Sequence, residues 1–269
     1  MNRQLAMVSG ATGGIGCVVT ERLWTEGYSI LALGKTPEKC LVLQDWFLDH
    51  PRPDQHGLVI CLDLTCPAEY ALIERVLAAS PDPLRLLATC HGAAPAPGPA
   101  VQDTTAIRVV YETDVLGTFA LCQLAGRYMM PQRQGSIVLV SSLHARQTYP
   151  ERVPYCVAKH AVVGLCKSLA VEWGIHGVRT NVLLPWQVHG HRSDTFIQQA
   201  WDQGEDLLEL YQRRCPMRQL IRAEDIADAV VFLASNAAMN GCEIVLDRGV
   251  SSSMWYEPFL GSQLWGNTP

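Results

Sequence analysis

Several features are missing from this chain, and each absence removes a class of function. No apolar run approaches the ~18 residues that a membrane-spanning helix requires. No basic block is present: 21 Lys and Arg are scattered among 26 Asp and Glu, for a formal charge of -5, so nucleic acid is not an expected partner. The N-terminal apolar stretch ends at a glycine turn and lacks the charged-then-apolar pattern of a secretory leader. No Cys-x-x-Cys occurs among the 10 cysteines, which fall largely within strand-like or helix-like segments, as Cys61, Cys122, Cys156 and Cys166 do. A chain of 269 residues buries enough apolar surface to fold without disulfides. Reduced, buried thiols in a cytoplasmic protein are therefore expected. His189-Gly190-His191 lacks the further cysteine or carboxylate ligands of a metal site, so no metal is expected.

No linker interrupts the chain, and strand-like and helix-like segments alternate throughout. Short apolar runs predict strands near residues 5–8, 29–33, 58–62, 84–88, 136–140, 179–183 and 242–246. This pattern predicts an α/β fold with a doubly wound parallel sheet of about seven strands and helices on both faces. Residues 1–250 form one expected domain, followed by a tail over 251–269. The Ala/Pro/Gly stretch from Ala93 to Ala100 reads as a loop.

Two motifs carry chemistry. Tyr155 and Lys159 lie one helical turn apart, with Val157, Ala161, Leu165 and Leu169 giving the segment 155–171 helical spacing. A phenol and an ammonium on one helix face form a device for moving a proton to or from a carbonyl oxygen, because the cation favours the phenolate. Ser142, in the preceding Ser141-Ser142 pair, supplies a hydroxyl to orient that oxygen. The second motif is Leu5-Ala6-Met7-Val8 followed by Ser9-Gly10-Ala11-Thr12-Gly13-Gly14-Ile15-Gly16 and a helical pattern through Val19, Leu23 and Trp24. Such a strand, glycine turn and helix let backbone amides and the helix N-terminus approach a pyrophosphate. Either motif alone is weak, since a solvated helix face or an empty glycine turn would produce it.

Together, in this order, they resemble the short-chain dehydrogenase/reductase family, of the compact single-domain type. Ser9, Gly10, Gly14, Ile15 and Gly16 match its Thr/Ser-Gly-x-x-x-Gly-Ile-Gly pattern, and the Ser142-to-Tyr155 spacing also agrees. Asp63, Arg179-Thr180-Asn181 with Pro185, Glu224-Asp225-Ile226-Ala227 and Asp247-Arg248-Gly249 extend the likeness over roughly residues 3 to 250. The resemblance implies a Rossmann-like fold and a cytoplasmic oxidoreductase moving hydride between nicotinamide and a carbonyl/alcohol pair. Tyr155 is then the general acid/base, Lys159 its tuner and a cofactor-ribose ligand, and Ser142 the stabiliser of the reacting oxygen. It also implies cofactor contacts at Ser9, Gly10, Thr12, Gly14, Ile15, Gly16, Gly34, Lys35, Thr36, Asp63, Gly92, Pro185 and Val188. A lid at about 187–216 and a homo-oligomer, dimer or tetramer, complete the family picture; the apolar tail around Trp255 and Phe259 would cover a pocket or a neighbouring subunit.

Four positions depart from the family. Thr89-Cys90-His91-Gly92 keeps only the glycine of Asn-Asn-Ala-Gly, and Asp114 stands where the proton-relay asparagine is usual. Trp186 replaces a glycine after Pro185, and Gly190 replaces a threonine that often contacts the nicotinamide. A carboxylate at 114 near Lys159 would favour its protonated form and shift the pH optimum. These departures motivate an alternative, a cofactor-binding sensor or scaffold with little catalysis; an epimerase or dehydratase is disfavoured because no longer substrate domain is present. His144 is the best-placed substrate contact, with Trp186 and His189 as further candidates, whereas Arg146, Arg152 and Arg192 read first as exposed arginines. After the second strand the chain reads Leu33-Gly34-Lys35-Thr36, with no acid to accept from ribose hydroxyls. Lys35 and Thr36 instead suit a 2′-phosphate, which favours NADP(H) over NAD(H). The substrate is an unspecified small carbonyl or alcohol.

Overall fold

The computed structural model describes residues 3–93, 104–148, 152–190 and 207–252. Seven parallel strands form one sheet in the order β3-β2-β1-β4-β5-β6-β7. They are β1 (Leu5–Ser9), β2 (Ser29–Gly34), β3 (Gly57–Cys61), β4 (Leu84–Thr89), β5 (Gly135–Val140), β6 (Val178–Pro185) and β7 (Glu243–Leu246). The helices are α1 (Gly14–Thr25), α2 (Pro37–Asp49), α3 (Tyr70–Ala79), α4 (Thr104–Val110), α5 (Thr118–Met129), α6 (Val153–Gly174), α7 (Leu207–Arg214) and α8 (Ala223–Ser235). A π-helical turn, Tyr111–Gly117, joins α4 to α5.

The central strands are apolar on both faces because both are covered, as parallel sheets require. Met7, Leu31, Leu33, Leu87, Ile137 and Leu139 pack toward α3, α5 and α6. The alternate residues Ala6, Val8, Ile30, Ala32, Leu86 and Val138 face α1, α2 and α8. This period-two division gives two cores, one on each side of the sheet. In α6, Cys156, Lys159, Val162, Val163, Cys166, Leu169, Ala170 and Trp173 are buried, at helical spacing on one face. Pro154 stands in its first turn, where a missing amide hydrogen costs little.

All seven expected strands are present, with ends displaced by no more than a residue or two. One expectation fails at an edge. Cys61, read as a buried thiol, is exposed, whereas Cys122, Cys156 and Cys166 are buried. The reason is the strand order: β3 is the outermost strand and its burial is interrupted along its length. The segment 187–216, expected to be irregular, includes the helix α7; residues 191–206, with His191 and Arg192, and the tail beyond Ser252 lie outside the described residues.

Candidate active site

The site is built at the carboxyl ends of β1, β4, β5 and β6. After β1 the chain turns at Gly10, whose φ of +66° favours glycine; a Cβ there would also stand 2.6 Å from the His91 amide nitrogen. A Cβ on Gly16 would collide with the Gly10 carbonyl, so α1 packs directly on the turn. Gly14 differs, with open space where its side chain would be. Gly13, as N-cap, offers no side chain to the first-turn amides of Gly14, Ile15 and Gly16, and those amides have no intrahelical acceptor. An open glycine surface backed by unpaired amides and a helix N-terminus fits a pyrophosphate.

At the carboxyl end of β2, Gly34 lies against Thr12, whose Cγ2 would lie 2.7 Å from an added Cβ. Thr36 N-caps α2 in an extended conformation without a side-chain cap bond. Lys35 is drawn onto Asp63, with Nζ 2.7 Å from Oδ2. Asp63 also accepts from the Thr65 amide and hydroxyl, both at 2.9 Å. The Lys35 ammonium and these hydrogen bonds hold its carboxyl below the usual range, against a smaller opposing effect of burial.

At the carboxyl end of β5, Ser142 follows in an extended conformation, and its Oγ accepts from the His144 amide at 3.2 Å, starting a short 3-10 turn. The same Oγ lies 3.2 Å from His144 Nδ1. The His144 ring meets Tyr155 edge-on, with centroids 5.5 Å apart. Thus His144 touches both Ser142 and Tyr155. Burial, and then the charge of Arg152, lower the His144 pKa, which favours a neutral imidazole. Ser141 Oγ donates to the Lys159 carbonyl at 2.9 Å, fixing the end of β5 to α6. Lys159 Nζ lies 5.5 Å from the Tyr155 ring centroid.

Lys159 and Asp114 form a buried ion pair, 3.0 Å between Nζ and Oδ2, with side chains 5% and 0% exposed. The contact is charge against charge at an oblique angle, since Oδ2 has no aligned hydrogen-bond donor. The other carboxylate oxygen accepts from the Ala93 amide at 2.6 Å. Gly92 completes the fit: a Cβ there would lie 3.1 Å from Lys159 Nζ and 3.3 Å from Asp114 Oδ2. Asp114 reaches this position from the π-helical turn, a rare geometry often found at functional sites.

Beneath the pair sits His91. Its Nε2 lies 3.2 Å from the Thr113 carbonyl and 3.1 Å from Thr118 Oγ1. A carbonyl only accepts, so Nε2 carries the proton and Nδ1 accepts from Ser9 Oγ, 2.6 Å away. Burial first, and Lys159 in addition, push the His91 pKa down to about 4, although Asp114 acts in the opposite direction. His91 therefore links the glycine turn to the π-helix as a neutral ring. Sequence reasoning marked His91 as a departure but gave it no role; the usable signal was Ser9 on the adjacent strand, since Ser9 and Thr89 are in register.

Trp186 is 7% exposed and packs with Leu143, Cys215, Leu220 and Val250; its ring meets Tyr211 edge-on at 5.9 Å. It forms the apolar backing of the turn that follows Ser142. Pro185 ends β6, Val188 bridges to Ile221, and the His189 amide donates to the Ile221 carbonyl at 2.8 Å, leaving the His189 side chain exposed. Gly190 is the last residue described before position 207. Among the described residues no His/Cys/Asp/Glu cluster suits a metal, and no helix is long and apolar enough to cross a membrane.

A family model described as enoyl-(acyl carrier protein) reductase matches residues 10–251. D-threitol dehydrogenase of Mycolicibacterium smegmatis is 32% identical over 256 residues, covering 93% of each chain. Gluconate 5-dehydrogenase of Gluconobacter oxydans is 27% identical, covering 93% of this chain and 95% of the relative. A crystal structure of a gluconate 5-dehydrogenase from Burkholderia cenocepacia, with NADP and tartrate, superposes with a TM-score of 0.82 at 20% identity, covering 94% of this chain and 97% of the other.

Proposed function

The chain belongs to the short-chain dehydrogenase/reductase family, and from that premise we propose how its own residues carry the reaction. It is an NAD(P)-dependent oxidoreductase acting on a carbonyl/secondary alcohol pair. A bound nicotinamide dinucleotide supplies or accepts the hydride. Tyr155 Oη gives a proton to the substrate oxygen in reduction and takes it back in oxidation, while Ser142 Oγ donates a hydrogen bond that orients that oxygen. His144, in contact with both, fixes their relative position. Lys159 supplies positive charge behind the phenol, and Asp114 takes the position of the relay residue. The observation that carries this reading is the burial of Lys159 beside Tyr155, held by Asp114 and fitted against Gly92. Burying an ammonium is costly and needs such a partner. No observation favours the sensor reading.

The finer features rest on support of different kinds. NADP(H) is favoured because Lys35 and Thr36 follow β2 and no acid stands there. Asp63 must then share Lys35 with the 2′-phosphate. The threitol and gluconate relatives support a small polyhydroxylated alcohol, or the matching ketone, as substrate. The exposed Val109, Leu116, Phe119 and Val157 of the α4-to-α6 surface support a homo-oligomer, and free cysteines suit a cytoplasmic setting.

The test is dinucleotide turnover, in both directions and with both dinucleotides, over a panel of polyols and ketones. Tyr155→Phe is expected to lower turnover by about 10³-fold with unchanged thermal stability. Equal turnover in the variant would remove Tyr155 from the chemistry.

A further inference from the structure

At the opposite end of the sheet, where strands begin rather than end, the surface opens into a cavity of about 490 Å³. That size lies within the range of small-molecule sites. Gln4, Tyr28, Arg85, Ser136, Arg179 and Asn240 belong to its polar lining, and among the described residues no aspartate, glutamate or lysine borders it. The two arginines are its only charged members among the described residues. In a chain of formal charge -5, the lining thus carries two positive groups, with Glu26 near enough to act on Tyr28 but not itself in the lining.

The hydrogen bonds of the arginines account for their positions but not for their charge. Arg179 Nη1 donates to the carbonyls of Leu233 and Met239 at 2.9 and 3.0 Å, and Nη2 to that of Ala234 at 2.8 Å. Arg85 Nη1 donates to Gln132 Oε1 at 2.5 Å and to the Gln134 carbonyl at 3.3 Å. A guanidinium has five N–H donors, so two remain on Arg179 and three on Arg85. Neither has a carboxylate partner among the described residues. By contrast, Arg22, Arg127, Arg146 and Arg248 each sit on a carboxylate. Arg179 is the more telling of the two, because burial lowers its pKa, the neighbouring Tyr28 phenol opposes that only in part, and no carboxylate is paired with it among the described residues. A partly desolvated guanidinium with spare donors at the wall of a cavity is matched by a carboxylate or phosphate oxygen.

We propose that this cavity is an anion-binding site, separate from the carbonyl-reducing site at the other end of the sheet, that takes a small carboxylate or phosphate dianion between Arg85 and Arg179. Because Arg179 caps the carbonyl end of α8, and α8 packs against α1, an anion here would brace the helix that carries the glycine turn.

Calorimetric titration of the full-length protein tests the proposal, with citrate and inorganic phosphate as probes and sodium chloride at matched ionic strength as control. Each titration is run with and without saturating NADPH, because the pyrophosphate cradle also attracts anions. The expected result is saturable binding of one anion per chain that persists under NADPH and weakens at least tenfold in Arg85→Gln. Arg85→Gln should retain the parent's turnover and melting temperature. Arg179→Lys, which keeps the charge but loses the fork, should weaken binding as well; if loss of the α8 cap unfolds it, Arg85→Gln decides alone. Binding displaced by NADPH, non-saturating heats equal to those of chloride, or undiminished affinity in Arg85→Gln would each overturn it.

Discussion

Two lysine–aspartate pairs stand near the carboxyl ends of the strands, and they differ far more in their surroundings than in their lengths. Lys35–Asp63 is the shorter, at 2.7 Å, with side chains 71% and 34% exposed. Lys159–Asp114 is longer, at 3.0 Å, but 5% and 0% exposed. Distance alone would rank the first above the second. Solvent reverses the order, because water screens an exposed pair and leaves it worth little, while a buried charge that loses its partner has no alternative. The exposed pair can therefore open and let Lys35 meet a phosphate. The buried pair is held in place between Gly92 and the π-helical turn.

The sharpest way to break this comparison is to remove the acid from each pair. Asp114→Ala strands an ammonium in the interior and should cost about 3–5 kcal/mol in urea unfolding, whereas Asp63→Ala should cost about 1 kcal/mol or less. Equal losses would show that burial is not what separates the pairs.

The next effect concerns His91, which borders the buried pair and has no counterpart beside the exposed one. Its pKa is pushed down to about 4 in the fold, against ~6.5 in an unfolded chain. Between these values the unfolded chain binds the proton and the native protein does not, so stability falls as pH is lowered from about 6.5 to about 4. The loss is on the order of 3 kcal/mol and levels off at lower pH as far as His91 is concerned. His91→Asn should flatten this part of the stability–pH curve relative to the parent. Parallel curves would mean that His91 is not buried as a neutral ring.

The smallest effect belongs to Lys35. Lys35→Ala should weaken NADPH binding about tenfold, as loss of one charge-assisted contact does, and leave NADH binding and stability within about 1 kcal/mol of the parent. Fluorescence titration with the two dinucleotides measures the ratio. A parallel loss for both would remove Lys35 as the discriminating residue.

How much of this was legible beforehand varies by residue. The seven strands could be read because a doubly covered parallel sheet makes each one a short apolar run. Gly10, Gly14 and Gly16 were legible because their spacing encodes a backbone shape, and Tyr155 with Lys159 because a helix turn converts spacing into adjacency. The exposure of Cys61 was not, since an edge strand and a central one look alike in a five-residue window. Nor was the attachment of Lys35 to Asp63: the residues are 28 positions apart and meet only because β2 and β3 pair with Gly34 opposite Cys61.

The sequence by itself determined the layered α/β architecture and marked the glycine turn and the Tyr155–Lys159 pair as candidates for a site, because those follow from local periodicity and short-range spacing. Tertiary structure alone decided which lysine is buried, that His91 stands neutral between Ser9 and Thr113, that Trp186 backs the Ser142 turn, and that Arg85 and Arg179 share a cavity. Those outcomes depend on solvent exclusion and on contacts between distant segments, and both arise only when the strands take their places in the sheet.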